Sequence, residues 1–252
     1  MSGVDRIGID LEIIGKAERQ KEFNTRLSHH AIEDLLALAL VIPREKLLVR
    51  INPLNNKTIE EVENILELGA SHIMLPYFSS ESEVDKFLRI VDRRARSIAL
   101  VETKSAVTRI REICKLPGLD EVMIGLNDLR MSMGLHNHFE LLASPVMQII
   151  SSTLIEEKIP FSIGGVAPPA YRHLPVDPDL VLAQYPRLGA TGAWLSRSFF
   201  KEHQRNSELV SLVSAIRNKL DEHIFSTPNE LEHKRKLLEI QARNIRDGGI
   251  SL

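Results

Sequence analysis

The chain has 252 residues, 43% hydrophobic and 26% charged, a composition typical of a globular protein. Its 32 lysines and arginines nearly balance 34 aspartates and glutamates, and the net charge of −2 excludes a strongly basic surface for nucleic acid or anionic membranes. A single cysteine, Cys114, excludes an intrachain disulfide, and no run approaches the roughly 20 apolar residues of a membrane span. The first residues lack the basic-then-apolar order of a signal peptide. We therefore expect a soluble, cytoplasmic protein.

Seven short apolar runs, each the length of a β-strand, recur along the chain and are separated by segments with helical periodicity. This alternation of strands and helices predicts a parallel sheet with crossover helices. The clearest helical segments are Thr58–Leu68, Ser82–Ala95 and Ala106–Cys114. The predicted strands are Val4–Asp10, Lys46–Ile51, Ser71–Pro76, Ser97–Glu102, Glu121–Leu126, Pro160–Gly165 and Ala190–Leu195.

Two architectures fit this alternation, an open doubly wound sheet and a closed (β/α)8 barrel. No Gly-x-Gly-x-x-Gly motif follows the first strand and no Gly-x-x-x-x-Gly-Lys motif occurs, which disfavours the nucleotide-binding open sheets. Polar residues lie at or just beyond the carboxyl ends of the strands, namely Asp10, Glu12, Arg50, Glu102 and Asp128. A barrel brings those ends to one mouth, where active sites lie, and we therefore expect a TIM barrel.

Seven strands are one fewer than such a barrel requires, and the first strand begins only three residues into the chain. We expect the chain to begin inside the first strand–helix unit and so to lack the first strand of the barrel. Residues 1–205 are predicted to form the barrel catalytic domain. Residues 206–252 are predicted to form a helical C-terminal extension, interrupted at Pro228, that contacts another subunit rather than a membrane, because its polar face mixes both charge signs.

Glu102 and Asp128 are the candidate metal ligands. Each follows an apolar strand, and two carboxylates from neighbouring strands, completed by water, form a hard oxygen site suited to Mg²⁺ or Mn²⁺. The alternative is that both acidic side chains cap the helices that follow them, since helix N-termini favour Asp and Glu.

Arg50 ends the strand Leu-Leu-Val-Arg and could hold a carboxylate or a developing oxyanion. It could also form an ion pair with Asp10 or Glu12, and both roles could hold at once because acidic residues behind an arginine would fix its direction. Gly125 precedes a helix and would let backbone N–H groups face a bound anion, although that signal is weak alone.

Over residues 4–199, these motifs together resemble the HpcH/HpaI aldolase and citrate lyase beta-subunit superfamily. The motifs that carry the resemblance are Leu48-Val49-Arg50-Ile51-Asn52-Pro53, Gly69-Ala70-Ser71-His72-Ile73-Met74-Leu75-Pro76, Leu100-Val101-Glu102-Thr103, Ile124-Gly125-Leu126-Asn127-Asp128-Leu129 and Ser132-Met133-Gly134.

The resemblance implies a (β/α)8 barrel, often oligomeric, with C-terminal helices exchanged between subunits. It implies that Glu102 and Asp128 hold a divalent metal that binds an α-keto acid through its keto and carboxylate oxygens. It implies that Arg50 steadies the oxygen that becomes negative in the enolate. The N–H groups near Asn127 and Asp128 would hold the substrate carboxylate.

Asp10 and Glu12 match the acidic pair at the end of the second strand of that superfamily, and this supports the expectation of a missing first strand. Two positions depart from its pyruvate aldolases. Those aldolases carry a histidine directly after the glutamate that Glu12 matches, where this chain has Ile13. They tend to carry a glutamine where this chain has Leu100. Both departures favour the acyl-CoA lyase branch, and no general base is assigned.

The sequence thus predicts a carbon–carbon lyase that depends on a divalent metal, Mg²⁺ or Mn²⁺, and cleaves a hydroxy-keto acid to pyruvate or a related enolate plus an aldehyde. One alternative is an acyl-CoA lyase of the citrate lyase type. The other is an inactive barrel that serves as a binding component. A small keto acid and a second copy of the chain are the expected partners.

Overall fold

The computed structural model describes residues 3–19, 30–171, 173–196, 199 and 206–248. A strand is found at each of the seven predicted places. The strands are β1 (Ile7–Asp10), β2 (Leu47–Arg50), β3 (His72–Leu75), β4 (Arg96–Val101), β5 (Leu119–Ile124), β6 (Phe161–Val166) and β7 (Gly192–Leu195).

Thirteen α-helices occupy the segments between and after the strands in the described ranges, together with one short 3-10 turn, Arg44–Lys46. None of these helices is both long enough and apolar enough to cross a membrane. The helices are α1 (Lys16–Arg19), α2 (Ile32–Ala39), α3 (Thr58–Glu67), α4 (Glu81–Val91), α5 (Lys104–Thr108), α6 (Ile110–Cys114), α7 (Leu126–Ser132), α8 (His138–Leu142), α9 (Pro145–Glu156), α10 (Pro178–Leu182), α11 (Gln184–Leu188), α12 (Asn206–Ile224) and α13 (Pro228–Asp247).

The strands follow chain order in the sheet, from β1 to β7. The pairs β1–β2, β2–β3, β3–β4 and β6–β7 are parallel, as crossover helices require. The protein therefore has an α/β fold with a seven-stranded parallel sheet, which is consistent with the (β/α)8 barrel class. The expectation that the chain lacks the first strand of such a barrel stays a prediction.

The chain divides into two compact units, a first unit of residues 5–123 and a second unit of residues 124–251 with residues 1–4. In the first unit, β2, β3 and β4 are buried almost throughout, because helices cover the sheet and its other face is packed. The core includes Val49, Ile73 and Leu100, each at most 3% exposed.

The segment Ala106–Cys114, expected as one helix, consists of the end of α5 and all of α6. The helix breaks at Arg109, whose φ of −112° and ψ of 12° lie outside the helical range. The Arg109 N–H bonds to the Ala106 carbonyl three residues back, which is a tighter turn than an α-helix allows. Cys114, at the end of α6, is buried.

The second unit contains the pair β6–β7 and the two long C-terminal helices. Gly192 on β7 lies so close to β6 that a Cβ atom there would be 2.9 Å from the Cβ of Ser162, which requires a glycine. Thr227 caps α13 through the N–H of Glu230, with Pro228 in the first turn, so the predicted interruption at Pro228 is confirmed.

Both C-terminal helices bury apolar residues, including Val213 and Ile216 on α12 and Leu238 on α13. They are joined to α10 through Asp179. Its carboxylate accepts from His223 Nε2 at 2.9 Å and from Lys234 Nζ at 2.5 Å. The described part of the extension, residues 206–248, therefore packs within the second unit. The predicted contact of residues 206–252 with another subunit stays a prediction, as does the predicted domain boundary after residue 205.

Candidate active site

Asp10 and Arg50 form a two-bond ion pair at the carboxyl ends of β1 and β2. The two residues lie opposite each other in the parallel register, so their side chains emerge at the same edge of the sheet. Arg50 Nε donates to Asp10 Oδ1 at 2.8 Å, and Arg50 Nη2 donates to Asp10 Oδ2 at 2.6 Å. This bidentate geometry fixes the plane of the guanidinium.

Glu12 lies behind the same arginine. It is 2% exposed, and its Oε2 atom is 3.5 Å from Arg50 Nη2. The Arg50 side chain remains 21% exposed, and its Nη1 atom has no hydrogen-bond partner among the described residues. One edge of a fixed guanidinium is therefore turned to acidic residues, while the remaining nitrogen is available to a bound molecule.

The charges in this cluster support one another. Burial by itself would raise the pKa of Asp10, but the hydrogen bonds and positive charges of Arg50 and Lys16 outweigh it and hold that pKa well below its usual range. Burial would lower the pKa of Arg50, whereas Asp10, Glu12 and Glu102 raise it above its usual value. Both partners of the pair are thus ionised at neutral pH.

Lys16, which the sequence reasoning missed, completes the cluster. Its side chain is only 3% exposed, and its Nζ atom donates to Asp10 Oδ2 and lies 3.7 Å from Glu12 Oε2. A lysine is seldom this buried unless it is paired. Nothing in the stretch Ile14–Arg19 signals the burial of Lys16, because this burial depends on contacts made by a residue from a distant segment of the chain.

That residue is Asn52, just beyond β2. Its Oδ1 atom accepts the N–H groups of Ile13 at 2.9 Å and Ile14 at 3.0 Å. Glu61 Oε1 in turn accepts both the backbone N–H and the side-chain amide of Asn52, at 3.0 and 2.9 Å. The loop after β1 is therefore anchored with Ile13 turned outward, 73% exposed, and Lys16 turned inward.

His30 adds a further contact at the end of β1, where its Nδ1 atom accepts the N–H of Asp10 at 3.1 Å. The ring nitrogen that accepts this bond is unprotonated. The His30 side chain itself is exposed.

Glu102 follows β4 and is 2% exposed. Its Oε1 atom accepts the N–H of Tyr77 at 2.9 Å, and its negative charge contributes to the raised pKa of Arg50. The cap of α5 is Thr103, whose Oγ1 atom accepts the N–H of Ala106 at 3.0 Å. Because Thr103 caps α5, the buried carboxylate of Glu102 is not needed as a helix cap. Its position close to the Arg50 guanidinium suits it to bind a ligand.

In the second unit, Gly125, Asn127 and Asp128 lie at the start of α7. Gly125 is the N-cap residue, and no side chain caps the helix. Asn127 Oδ1 accepts from Arg130 Nε at 3.3 Å. Burial lowers the pKa of Arg130, and the charge of Asp128 opposes that change.

Asp128 Oδ1 is buried and has no hydrogen-bond partner among the described residues. A buried carboxylate oxygen left unpaired is costly, and a cation is the kind of ligand that satisfies it. This oxygen and the buried carboxylate of Glu102 are both hard donors, so each fits the metal-ligand role predicted for it. No group of three or more histidine, cysteine or acidic side chains is arranged for a metal within the described part of the chain.

The structure thus brings together Asp10, Glu12 and Arg50 and adds Lys16 to them. Glu102 is near enough to act on Arg50 by its charge. The assignments of catalytic, substrate-binding and metal roles to these residues and to Gly125, Asn127 and Asp128 stay predictions.

Three solved structures share the fold. RipC from Yersinia pestis is 19% identical, with a TM-score of 0.60 over 91% of this chain and 93% of its own. A citrate lyase beta subunit from M. tuberculosis, complexed with oxaloacetate and magnesium, is 18% identical, with a TM-score of 0.59 over 86% and 87%. An HpcH/HpaI aldolase from Desulfitobacterium hafniense is 16% identical, with a TM-score of 0.56 over 77% and 87%.

No curated protein sequence matches the chain. The model of the HpcH/HpaI aldolase/citrate lyase family matches residues 1–152, which is more than half of the 252 residues. The chain therefore belongs to the HpcH/HpaI aldolase/citrate lyase family.

Proposed function

We propose that the chain is a divalent-metal-dependent carbon–carbon lyase that cleaves a hydroxy-keto acid to pyruvate or a related enolate plus an aldehyde. The observation that carries this proposal is the guanidinium of Arg50, fixed by two hydrogen bonds to Asp10 at the carboxyl ends of β1 and β2. The family to which the chain belongs consists of lyases and aldolases, which supports the reaction class.

Arg50 is placed to stabilise the negative charge that carbon–carbon cleavage leaves on the keto oxygen of the fragment. Its free Nη1 is a donor whose direction is set before the substrate arrives, so no reorganisation is needed as the charge develops. Glu12 and Glu102 keep the guanidinium charged and close to the strand ends. The group that takes the proton from the substrate hydroxyl is not assigned.

Glu102 and Asp128 are the proposed metal ligands, each judged by its own surroundings: a buried carboxylate beside Arg50, and a buried oxygen without a partner among the described residues. When bound, Mg²⁺ or Mn²⁺ would act as a Lewis acid toward the keto oxygen. Magnesium is favoured because the related M. tuberculosis proteins are solved with magnesium together with oxaloacetate or pyruvate. The N–H groups at Asn127 and Asp128, beyond Gly125, are proposed to hold the substrate carboxylate.

A second candidate is an acyl-CoA lyase. The observation that favours it concerns Ile13, which stands where the pyruvate aldolases carry a histidine. Its side chain points outward, 73% exposed, and makes no contribution to the cluster. The two candidates differ in the fragment that becomes the enolate, which is the keto acid in the first and the acyl group of the CoA thioester in the second.

The test is deuterium exchange into the methyl group of pyruvate, followed by proton NMR with Mg²⁺, with Mn²⁺ and with chelator. The assay needs no aldehyde partner, because the enolate forms on pyruvate itself. We expect the exchange to require metal. Metal-dependent deuterium exchange into the acetyl methyl group of acetyl-CoA, assayed in a parallel sample, with none into pyruvate, would favour the acyl-CoA lyase, because that reaction forms its enolate on the thioester. No exchange under either condition would contradict both candidates and favour a binding protein.

We also propose that the protein is a homo-oligomer in which residues 206–252 contribute to the contact. Ile224, the last residue of α12, is 63% exposed, and Phe225, in the turn that follows, is 87% exposed. Light scattering of the purified protein measures the oligomeric state, and a monomer at micromolar concentration would contradict this proposal.

A further inference from the structure

Lys16 is a buried cation in contact with two carboxylates that lie at the end of the same strand. Its Nζ atom donates to Asp10 Oδ2 and is 3.7 Å from Glu12 Oε2. Glu12 is 2% exposed and Lys16 is also 2% exposed, so water screens this interaction only weakly. The Coulombic attraction within such a pair is stronger than on the surface, but the cost of desolvating both charges offsets it. Removing one partner leaves a buried charge without compensation.

The direction of Lys16 is built into the loop that carries it. Asn52 holds the two consecutive N–H groups of Ile13 and Ile14, and Gly15 follows with a φ of +70°, a conformation that favours glycine. The chain turns there, and α1 begins with Lys16 pointing inward. The burial of the lysine is therefore imposed by specific contacts and is not an accident of a flexible side chain.

The cluster contains five ionisable side chains, of which Asp10, Glu12 and Glu102 are acidic and Lys16 and Arg50 are basic. Asp10 bonds to both Lys16 and Arg50, Glu12 lies within 3.7 Å of Lys16 and 3.5 Å of Arg50, and Glu102 acts on Arg50 by its charge. Asp10 Oδ1 also accepts the backbone N–H of Glu12 at 3.3 Å, and His30 Nδ1 accepts the backbone N–H of Asp10 at 3.1 Å.

Without Lys16, the Asp10 and Glu12 carboxylates would share the single charge of Arg50. Like charges crowded in this way disfavour the charged form, so the pKa of Asp10 would rise. A protonated Asp10 would lose part of its hold on Arg50, because a neutral carboxyl group is a weaker acceptor than a carboxylate.

We propose that Lys16 is a positioning residue of the candidate active site: its ammonium group holds the Asp10 and Glu12 carboxylates in place and so keeps Arg50 fixed with Nη1 available to the substrate oxygen. The catalytic meaning of this inference rests on the proposed function. The electrostatic coupling between Lys16 and Asp10 does not, and it can be measured without substrate or metal.

The first measurement is the titration of the Asp10 carboxyl in the full-length protein without metal, followed by carbon-detected NMR of aspartate-labelled samples and assigned with Asp10→Asn. In Lys16→Met the midpoint is expected to rise by at least about 1 pH unit relative to wild type. Lys16→Arg, which keeps the charge, should restore most of the low midpoint. Lys86→Met, which removes an exposed lysine on α4 in the same unit, is the matched control and should leave it unchanged.

An Asp10 titration that is the same in Lys16→Met and wild type would overturn the inference. If Lys16→Met does not fold, the double variant Lys16→Met with Glu12→Gln decides, because it removes the surplus negative charge and leaves the Asp10–Arg50 pair in place. The double variant should fold and keep a low Asp10 midpoint. Failure to fold again would show that Lys16 acts by packing, contrary to our account.

The second measurement is the pH profile of kcat/KM for pyruvate methyl exchange with Mg²⁺. The acid limb is expected to move to higher pH in Lys16→Met and to return toward wild type in Lys16→Arg, whereas a purely structural role would lower the rate equally at all pH values and would overturn the positioning role. Wild-type protein that catalyses no exchange would contradict the proposed function, and the NMR titration would still decide the coupling of Lys16 to Asp10.

Discussion

Replacing Arg50 with lysine tests whether the fixed guanidinium is the functional group of the cluster. Arg50 uses Nε and Nη2 on Asp10, leaves Nη1 free, and lies 3.5 Å from Glu12. A lysine keeps the positive charge, but its single ammonium cannot chelate Asp10 and also reach a substrate oxygen. The donor to the developing negative charge is therefore lost or misdirected while the cluster stays neutralised.

The magnitude follows from what is lost. Removing one preorganised donor to an oxyanion costs about 2.7–4 kcal/mol, which is about 10²–10³ in kcat. The fold should lose much less, because the Arg50 side chain is 21% exposed and the lysine still compensates Asp10; we expect a loss of about 1 kcal/mol or less.

Pyruvate methyl exchange with Mg²⁺ measures the first effect, and urea unfolding measures the second. An Arg50→Lys protein that exchanges at the wild-type rate would refute the role given to the guanidinium. A loss of activity matched by a loss of several kcal/mol of stability would show instead that Arg50 is structural.

Three further predictions concern stability. The pKa of Asp10 is lower in the folded than in the unfolded protein, so its ionised form stabilises the fold above the unfolded pKa of about 3.9, and this stabilisation is lost as the pH falls through the folded pKa. The difference in unfolding free energy between wild type and Asp10→Asn should therefore be largest near neutral pH and shrink below about pH 4. A constant difference from pH 7 to pH 3 would contradict this prediction. Gly192→Ala places a Cβ 2.9 Å from that of Ser162 and should cost about 1–3 kcal/mol in urea unfolding, whereas an unchanged midpoint would show that β7 can shift. Asp179→Ala removes the acceptor shared by α12 and α13 and should cost about 1 kcal/mol and expose those helices to limited proteolysis; a cleavage pattern like that of wild type would contradict this.

The sequence predicted the strands well because each is a short apolar run between segments with helical periodicity, and this pattern can be recognised along the chain. The pairing of Arg50 with Asp10 could also be foreseen, since both end neighbouring strands of a parallel sheet and so meet at one edge. The break of the expected helix at Arg109 could not, because it replaces one ordinary helical bond with a tighter turn and leaves no mark in the apolar pattern.

Lys16 shows where sequence reasoning ends. A lysine in a polar stretch is normally solvated, and its burial here depends on Asn52, which lies 36 positions further along the chain and is itself held by Glu61. The sequence motif around Arg50 contains Asn52 but gives no reason to connect it with the loop after β1. Only the three-dimensional contacts join the two segments.

The measurement that tests the central claim most directly is metal-dependent pyruvate methyl exchange in Glu102→Gln, with Glu67→Gln as its control. Glu102 is buried beside Arg50, whereas Glu67 is exposed at the end of α3 in the same unit. We expect Glu102→Gln to fold, to lose Mn²⁺ binding measured by paramagnetic relaxation of water protons, and to lose exchange, while Glu67→Gln keeps both. Wild-type binding and exchange in Glu102→Gln would contradict the assignment of this cluster as the active site.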